Sequence, residues 1–114
     1  MPTRSIRSRR VRRAAHPTTD VRALAASERI ILRLLRDHGD TYGMRLVHLS
    51  AGALTEHGVY VTLGRMLEKD FVESWHRRDD GEMGAVRRVY RTTAHGLRML
   101  EATEAFERTV RGGA

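Results

Sequence analysis

The stretch from His57 to Val72, "HGVYVTLGRMLEKDFV", reads as the body of a helix running into the start of a strand. Val59, Leu63, Met66 and Leu67 recur at the spacing of one helical face, the mark of a side turned toward a core. The opposite face carries His57, Val61, Gly64 and Glu68. Gly64 is the odd residue there, because a glycine inside a helix costs about 1 kcal/mol relative to alanine. A partner that approaches the backbone closely at that point would explain it, and the neighbouring segments indicate what that partner is.

Upstream lie two further helical segments. Ser27 is placed to cap "ERIILRLLRDH", whose stripe is Ile30, Ile31, Leu34 and Leu35, and Gly39 ends it. Thr41 is placed to cap "YGMRLVHLSA", in which Leu46, Val47 and Met44 face inward and Gly52 closes the helix. Thr55 then caps the third helix, which runs to about Lys69. Helices joined by so few residues must turn sharply on one another, as in a helix-turn-helix. Downstream, "FVESWHRR" and "AVRRVYRT" are β-prone and are joined by the glycine-containing loop "DDGEMG", which predicts a hairpin. A fourth helix is expected from Ala94 to Val110. The order helix, helix, helix, hairpin, helix predicts a mainly α fold with a small β-hairpin: a winged helix-turn-helix over 23–93, followed by a helix over 94–110.

Composition narrows the function. The chain has 114 residues and a formal charge of +7. That length suits one small domain, often steadied by pairing with a second copy. Six arginines and no acid fall within residues 1–19, so the remainder, with 15 basic and 14 acidic side chains, is nearly balanced. Residues 1–22 have no apolar periodicity and read as a disordered basic tail, either a non-specific arm on phosphates or a solubilising extension. There is no cysteine, so neither disulfides nor thiolate metal sites arise, and the six histidines lack the spacing of a helical zinc site. No phosphate loop, nucleophile elbow or carboxylate pair suggests an enzyme, and no cofactor is implied. With no signal-like or membrane-length apolar run, a cytoplasmic protein is the expectation.

Several motifs in order resemble the PadR-type transcriptional regulators. "GVYVTLGRMLEKDFVESW" is similar to their third helix, with Tyr60, Leu63, Arg65 and Met66 before the turn at Asp70. "GAVRRVYRTTAHGLRML" is similar to their basic wing strand and last helix, through Arg87, Arg88, Tyr90, Thr93 and Gly96. "TYGMRL" resembles the start of their second helix, with Tyr42 and Gly43 in reversed order. The likeness spans roughly Glu28 to Val110. Asp70 stands in place of the usual turn glycine, Ala85 in place of a common wing proline, and Leu67 in place of a polar residue. The single helix after the wing is similar to the family's short branch, whose members look like dimeric repressors. The resemblance also implies release by a small aromatic or drug-like effector in some members, but ligand identity does not carry over.

The expected partner is double-stranded DNA, entered by the third helix. Thr55, His57 and Tyr60 lie near its N-terminus, and Gly64 with Arg65 lies further along. Tyr60 has an equal alternative, packing between helix and wing. In the wing, Arg87 and Arg88 are favoured over Arg77 and Arg78 for phosphate contact, although Asp79, Asp80 and Glu82 at the tip oppose it. Internal ion pairs on a solvated hairpin are the plain alternative. On the last helix, Met99, Ala102, Thr103, Phe106 and Val110 form one stripe expected to meet a second chain, while Leu97 and Leu100 dock on the parent domain. A different class of function remains open: a winged-helix module for protein interaction, its basic tail binding RNA or an acidic partner.

Overall fold

The computed structural model describes residues 24–79 and 85–112. Its elements are α1 (Ala26–His38), β1 (Thr41–Tyr42), α2 (Gly43–Leu49), α3 (Glu56–Glu68), β2 (Val72–Asp79), β3 (Ala85–Thr92) and α4 (Ala94–Gly112). The three strands form one antiparallel sheet in the order β1-β3-β2. This is a winged helix-turn-helix, as expected. The arginine-rich tail and the acidic wing tip at residues 80–84 lie outside the described residues.

Three local expectations are corrected. Ser27 does not cap α1; the cap position is Ala25, whose N–H donates to Glu28 Oε1 at 2.9 Å. A carboxylate three residues into the helix reaches back and satisfies the free donor, which leaves the Ser27 hydroxyl to bond Thr62 of α3 at 3.2 Å. Thr41 is likewise no cap, since it is buried in β1 opposite Tyr90. A strand of two residues has no periodicity to read, so β1 is invisible in the sequence. Finally, the buried stripe of α1 is Glu28, Ile31, Leu32 and Leu35, with Ile30 and Leu34 only partly covered.

The core forms where α1, α2, α3 and the first half of α4 converge: Ile31, Leu32, Leu46, Val59, Leu63, Met66 and Leu100 are fully enclosed. Glu28 is 1% exposed inside this shell and receives Lys69 Nζ at 2.7 Å. Lys69 is the last residue of the α3 turn, so the pair ties the start of α1 to the end of α3. A buried carboxylate needs such a partner, because left alone it would carry a large desolvation cost.

After Lys69 the chain closes in a left-handed C-cap. Phe71 N–H donates to Met66 O at 2.9 Å, and Asp70 N–H to Leu67 O at 3.1 Å. Asp70 adopts φ 64°, the conformation that usually favours glycine at this place. The departure from the family's turn glycine therefore leaves the corner's geometry intact. Thr93 then locks the corner to α4: its hydroxyl donates to Asp70 O at 2.6 Å and accepts from Gly96 N–H at 2.9 Å.

The second half of α4 is held by charge. Arg33 Nε and Arg36 Nη1 each bond Glu104 at 2.9 Å, and Glu107 pairs with Arg29 and Arg33. The helix is thus joined to the winged domain along much of its length. The hydrogen bond from Arg36, helped by Arg33 and opposed by desolvation, holds the Glu104 carboxyl below its ordinary 4.5. A depressed carboxyl contributes stability above its unfolded value and loses it as pH falls through the folded one. Acidification from neutrality to below that ordinary value should therefore lower the protection factors of the amides in the last two turns of α4, each rate being compared with the unstructured rate at the same pH. Being half-exposed, these pairs contribute at most about 1 kcal/mol each. In Glu104→Gln the protection factors should lose most of their pH response over that range; an unchanged response would remove the pairs from the account.

Candidate nucleic-acid interface

Helix α3 is capped by Thr55, whose Oγ1 accepts from Gly58 N–H at 3.0 Å. That bond caps the helix and leaves the hydroxyl's own donor unused by it. His57, Tyr60, Val61, Gly64, Arg65 and Glu68 are exposed, while Val59, Thr62, Leu63 and Met66 are buried. The two faces divide as the apolar spacing requires. A Cβ built on Gly64 meets nothing within 4 Å, so among the described residues no contact demands a glycine there.

Tyr60 is both packed and exposed. Its ring lies so close to Gly43, the first residue of α2, that a Cβ there would fall 2.6 Å from Tyr60 Cε1. Gly43 is thus the residue that lets α3 settle against α2. The ring is still 46% exposed. It also lies near Tyr90 of β3. Burial raises the Tyr90 phenol above its ordinary 10.0, Arg88 draws it down, and Tyr60 pushes it up again. Tyr60, Tyr90 and Arg88 therefore share one electrostatic neighbourhood on the α3 side of the sheet.

Arg87 is elsewhere. Successive strand residues point to opposite faces, so Arg87 and Arg88 cannot act from the same side of the ribbon. Arg88 Nη1 donates to Ser74 Oγ at 2.6 Å, whereas the Arg87 guanidinium stacks on Tyr42, 4.4 Å from the ring centroid. Arg87 lies directly opposite Arg77 across the ladder. Arg91 follows the plainer alternative: it pairs with Glu73 at 3.0 Å and Asp40 at 3.8 Å while stacked on half-buried Trp75.

The stripe on α4 also divides. Met99 and Thr103 are each 5% exposed and belong to the chain's own core, so they have little surface left for a partner chain. A four-residue step replaces the expected mixed one: Ala102, Phe106 and Val110 lie outward, with Phe106 49% exposed. The first turns of α4 turn inward because Gly96, Met99 and Leu100 close the core.

Among the described residues, no group of three or more His, Asp or Glu side chains is placed to hold a metal ion, and no helix is long and apolar enough to cross a membrane. Sequence reasoning missed two residues that shape this surface. Gly43 had a legible signal in the tyrosine-glycine pair opening α2; Lys69, as the partner of Glu28, had none, since the two lie 41 positions apart.

No protein-family model matches the chain, and no curated protein matches it either. Solved structures do. A PadR family transcription regulator from Clostridium difficile is 24% identical, with a TM-score of 0.65 over 75% of this chain and 90% of its own. A PadR family transcriptional regulator from Eggerthella lenta is also 24% identical, with a TM-score of 0.64 over 96% and 88%. Pex from a Synechococcus species is 22% identical, with a TM-score of 0.52 over 75% and 83%. Helix order, three-stranded sheet and single final helix agree with these likenesses, and the chain has the winged helix-turn-helix fold of PadR-family transcription regulators.

Proposed function

We propose that the protein is a cytoplasmic, sequence-specific DNA-binding transcriptional regulator, acting as a homodimeric repressor on a palindromic operator. The observation that carries this reading is the outward face of α3, which bears polar and basic side chains around a glycine with open space above it. In this reading α3 enters the major groove, whose width admits one helix. Thr55 and Arg65 hold phosphates, His57 and Tyr60 reach base edges, and Gly64 lets the backbone come close. Arg88 approaches the flanking backbone from the α3 side of the wing, and Arg87 from the other side.

Selection from a random duplex library with the full chain, followed by gel shift over a salt series, tests the proposal. Gly64→Leu should weaken binding to the selected site tenfold or more. The same change should leave the fold intact and raise its stability by somewhat under 1 kcal/mol, because leucine is the better helix former. A Gly64→Leu variant that binds normally would show that this face does not approach DNA.

The near balance of charge outside residues 1–19 favours a second reading, a protein-interaction module whose tail binds RNA or an acidic partner. Binding that yields to unrelated competitor DNA and disappears with salt would support it instead.

A further inference from the structure

Five large apolar side chains are exposed among the described residues: Tyr60, Val61, Val86, Phe106 and Val110. Tyr60 is seated on Gly43, Phe106 and Val110 continue one stripe of α4, and Val86 lies one residue into β3 beside the wing tip. Val61 has no such place. It is 40% exposed in the middle of α3, three residues before Gly64 and on the same face. Valine is a poor helix former because its branched Cβ crowds the preceding turn. Two adjacent positions on one face thus weaken the helix: Val61 keeps 40% of its surface open, and a Cβ at Gly64 would meet nothing within 4 Å. One offers methyl groups and the other offers room.

We infer that Val61 selects thymine, its methyl groups meeting the C5-methyl of a thymine in the major groove at one position of each half-site. The inference rests on the DNA-binding reading of α3. Of the four standard DNA bases, thymine alone presents a methyl group in that groove, and apolar side chains read it by contact. Gly64, one turn on, lets the helix lie deep enough for a side chain as short as valine to reach the base. Arg65 and Arg88 supply the surrounding positive charge, so the apolar contact forms within an interface already drawn to the duplex.

The test uses the full chain and a duplex selected from a random library. Each thymine of the selected site is replaced in turn by deoxyuridine, which removes only the methyl group. One thymine per half-site should show about a fourfold loss of affinity, the effect of one buried methyl. Val61→Ala, which favours the helix and should fold as the parent does, removes the contact from both half-sites and should lose about the square of that factor, about sixteenfold, on the thymine duplex. It should bind thymine and deoxyuridine duplexes equally at that position. The inference is overturned if no thymine is sensitive, or if Val61→Ala still prefers thymine over deoxyuridine by the full factor. If selection returns no preferred sequence, the regulator reading itself falls and this inference falls with it.

Discussion

Phe106→Asp should convert the proposed dimer into monomers in analytical ultracentrifugation, with the helical circular-dichroism signal kept and the full two-half operator lost. Phe106 is 49% exposed in the single chain, in line with exposed Ala102 and Val110. A phenylalanine offers roughly 200 Å² to burial, so about 100 Å² remains on each copy. Covering both would stabilise a pair by up to about 5 kcal/mol at 25 cal/mol per Å². That corresponds to nearly four powers of ten in the dimer dissociation constant. An aspartate there would add two like charges facing each other across the contact. Monomers should still bind one half-site weakly, because each α3 is intact; the operator needs two reading helices at a fixed separation of about one DNA turn. A variant that stays dimeric would move the interface off this stripe. Unfolding is not the expected result, since the side chain lies outside the enclosed core.

Gly96→Ala should destabilise the fold by about 3 kcal/mol and lower the melting temperature by more than 10 °C. The new Cβ would fall 2.1 Å from Phe71 O, and 2.9 and 3.0 Å from the carbonyl carbon and Cα of the same residue. All three are backbone atoms, so no side-chain rotation relieves the overlap. The start of α4 would have to withdraw, stretching the Thr93 N–H bond to Phe71 O at 3.0 Å and the Thr93 hydroxyl bond to Asp70 O. Loss of the cap alone is worth about 1 kcal/mol. Gly64→Ala is the natural control, because it adds the same methyl in open space and should stabilise by about 1 kcal/mol. Opposite signs at two helical glycines would separate steric need from outward exposure. A Gly96→Ala variant that melts within two degrees of the parent would contradict the packing of α4 on the corner.

The sequence by itself determined the order of the four helices and the hairpin. Apolar spacing, Thr55 as a cap and the glycine-containing loop between two β-prone runs pointed to a winged helix-turn-helix, and the ordered motifs resembling PadR-type regulators narrowed it, because local periodicity and turn chemistry act over a few residues. It also marked Gly64 as outward and a turn at Asp70, whose left-handed conformation only the structure showed. Tertiary structure decided everything that depends on contacts far apart in the chain. It put Glu28 in the core through Lys69, rotated the buried stripe of α1 to include Leu32, and paired β1 with β3. It also seated Tyr60 on Gly43, sent Arg87 and Arg88 to opposite faces of the wing, and took Met99 and Thr103 away from the outer stripe of α4. A helical stripe can be read to within one residue of rotation from spacing alone, and that residue separates a core position from an interface position. Which side of a helix is covered depends on where the neighbouring helix lies, and here ion pairs between α1 and α4 and the Thr93 corner fix that position.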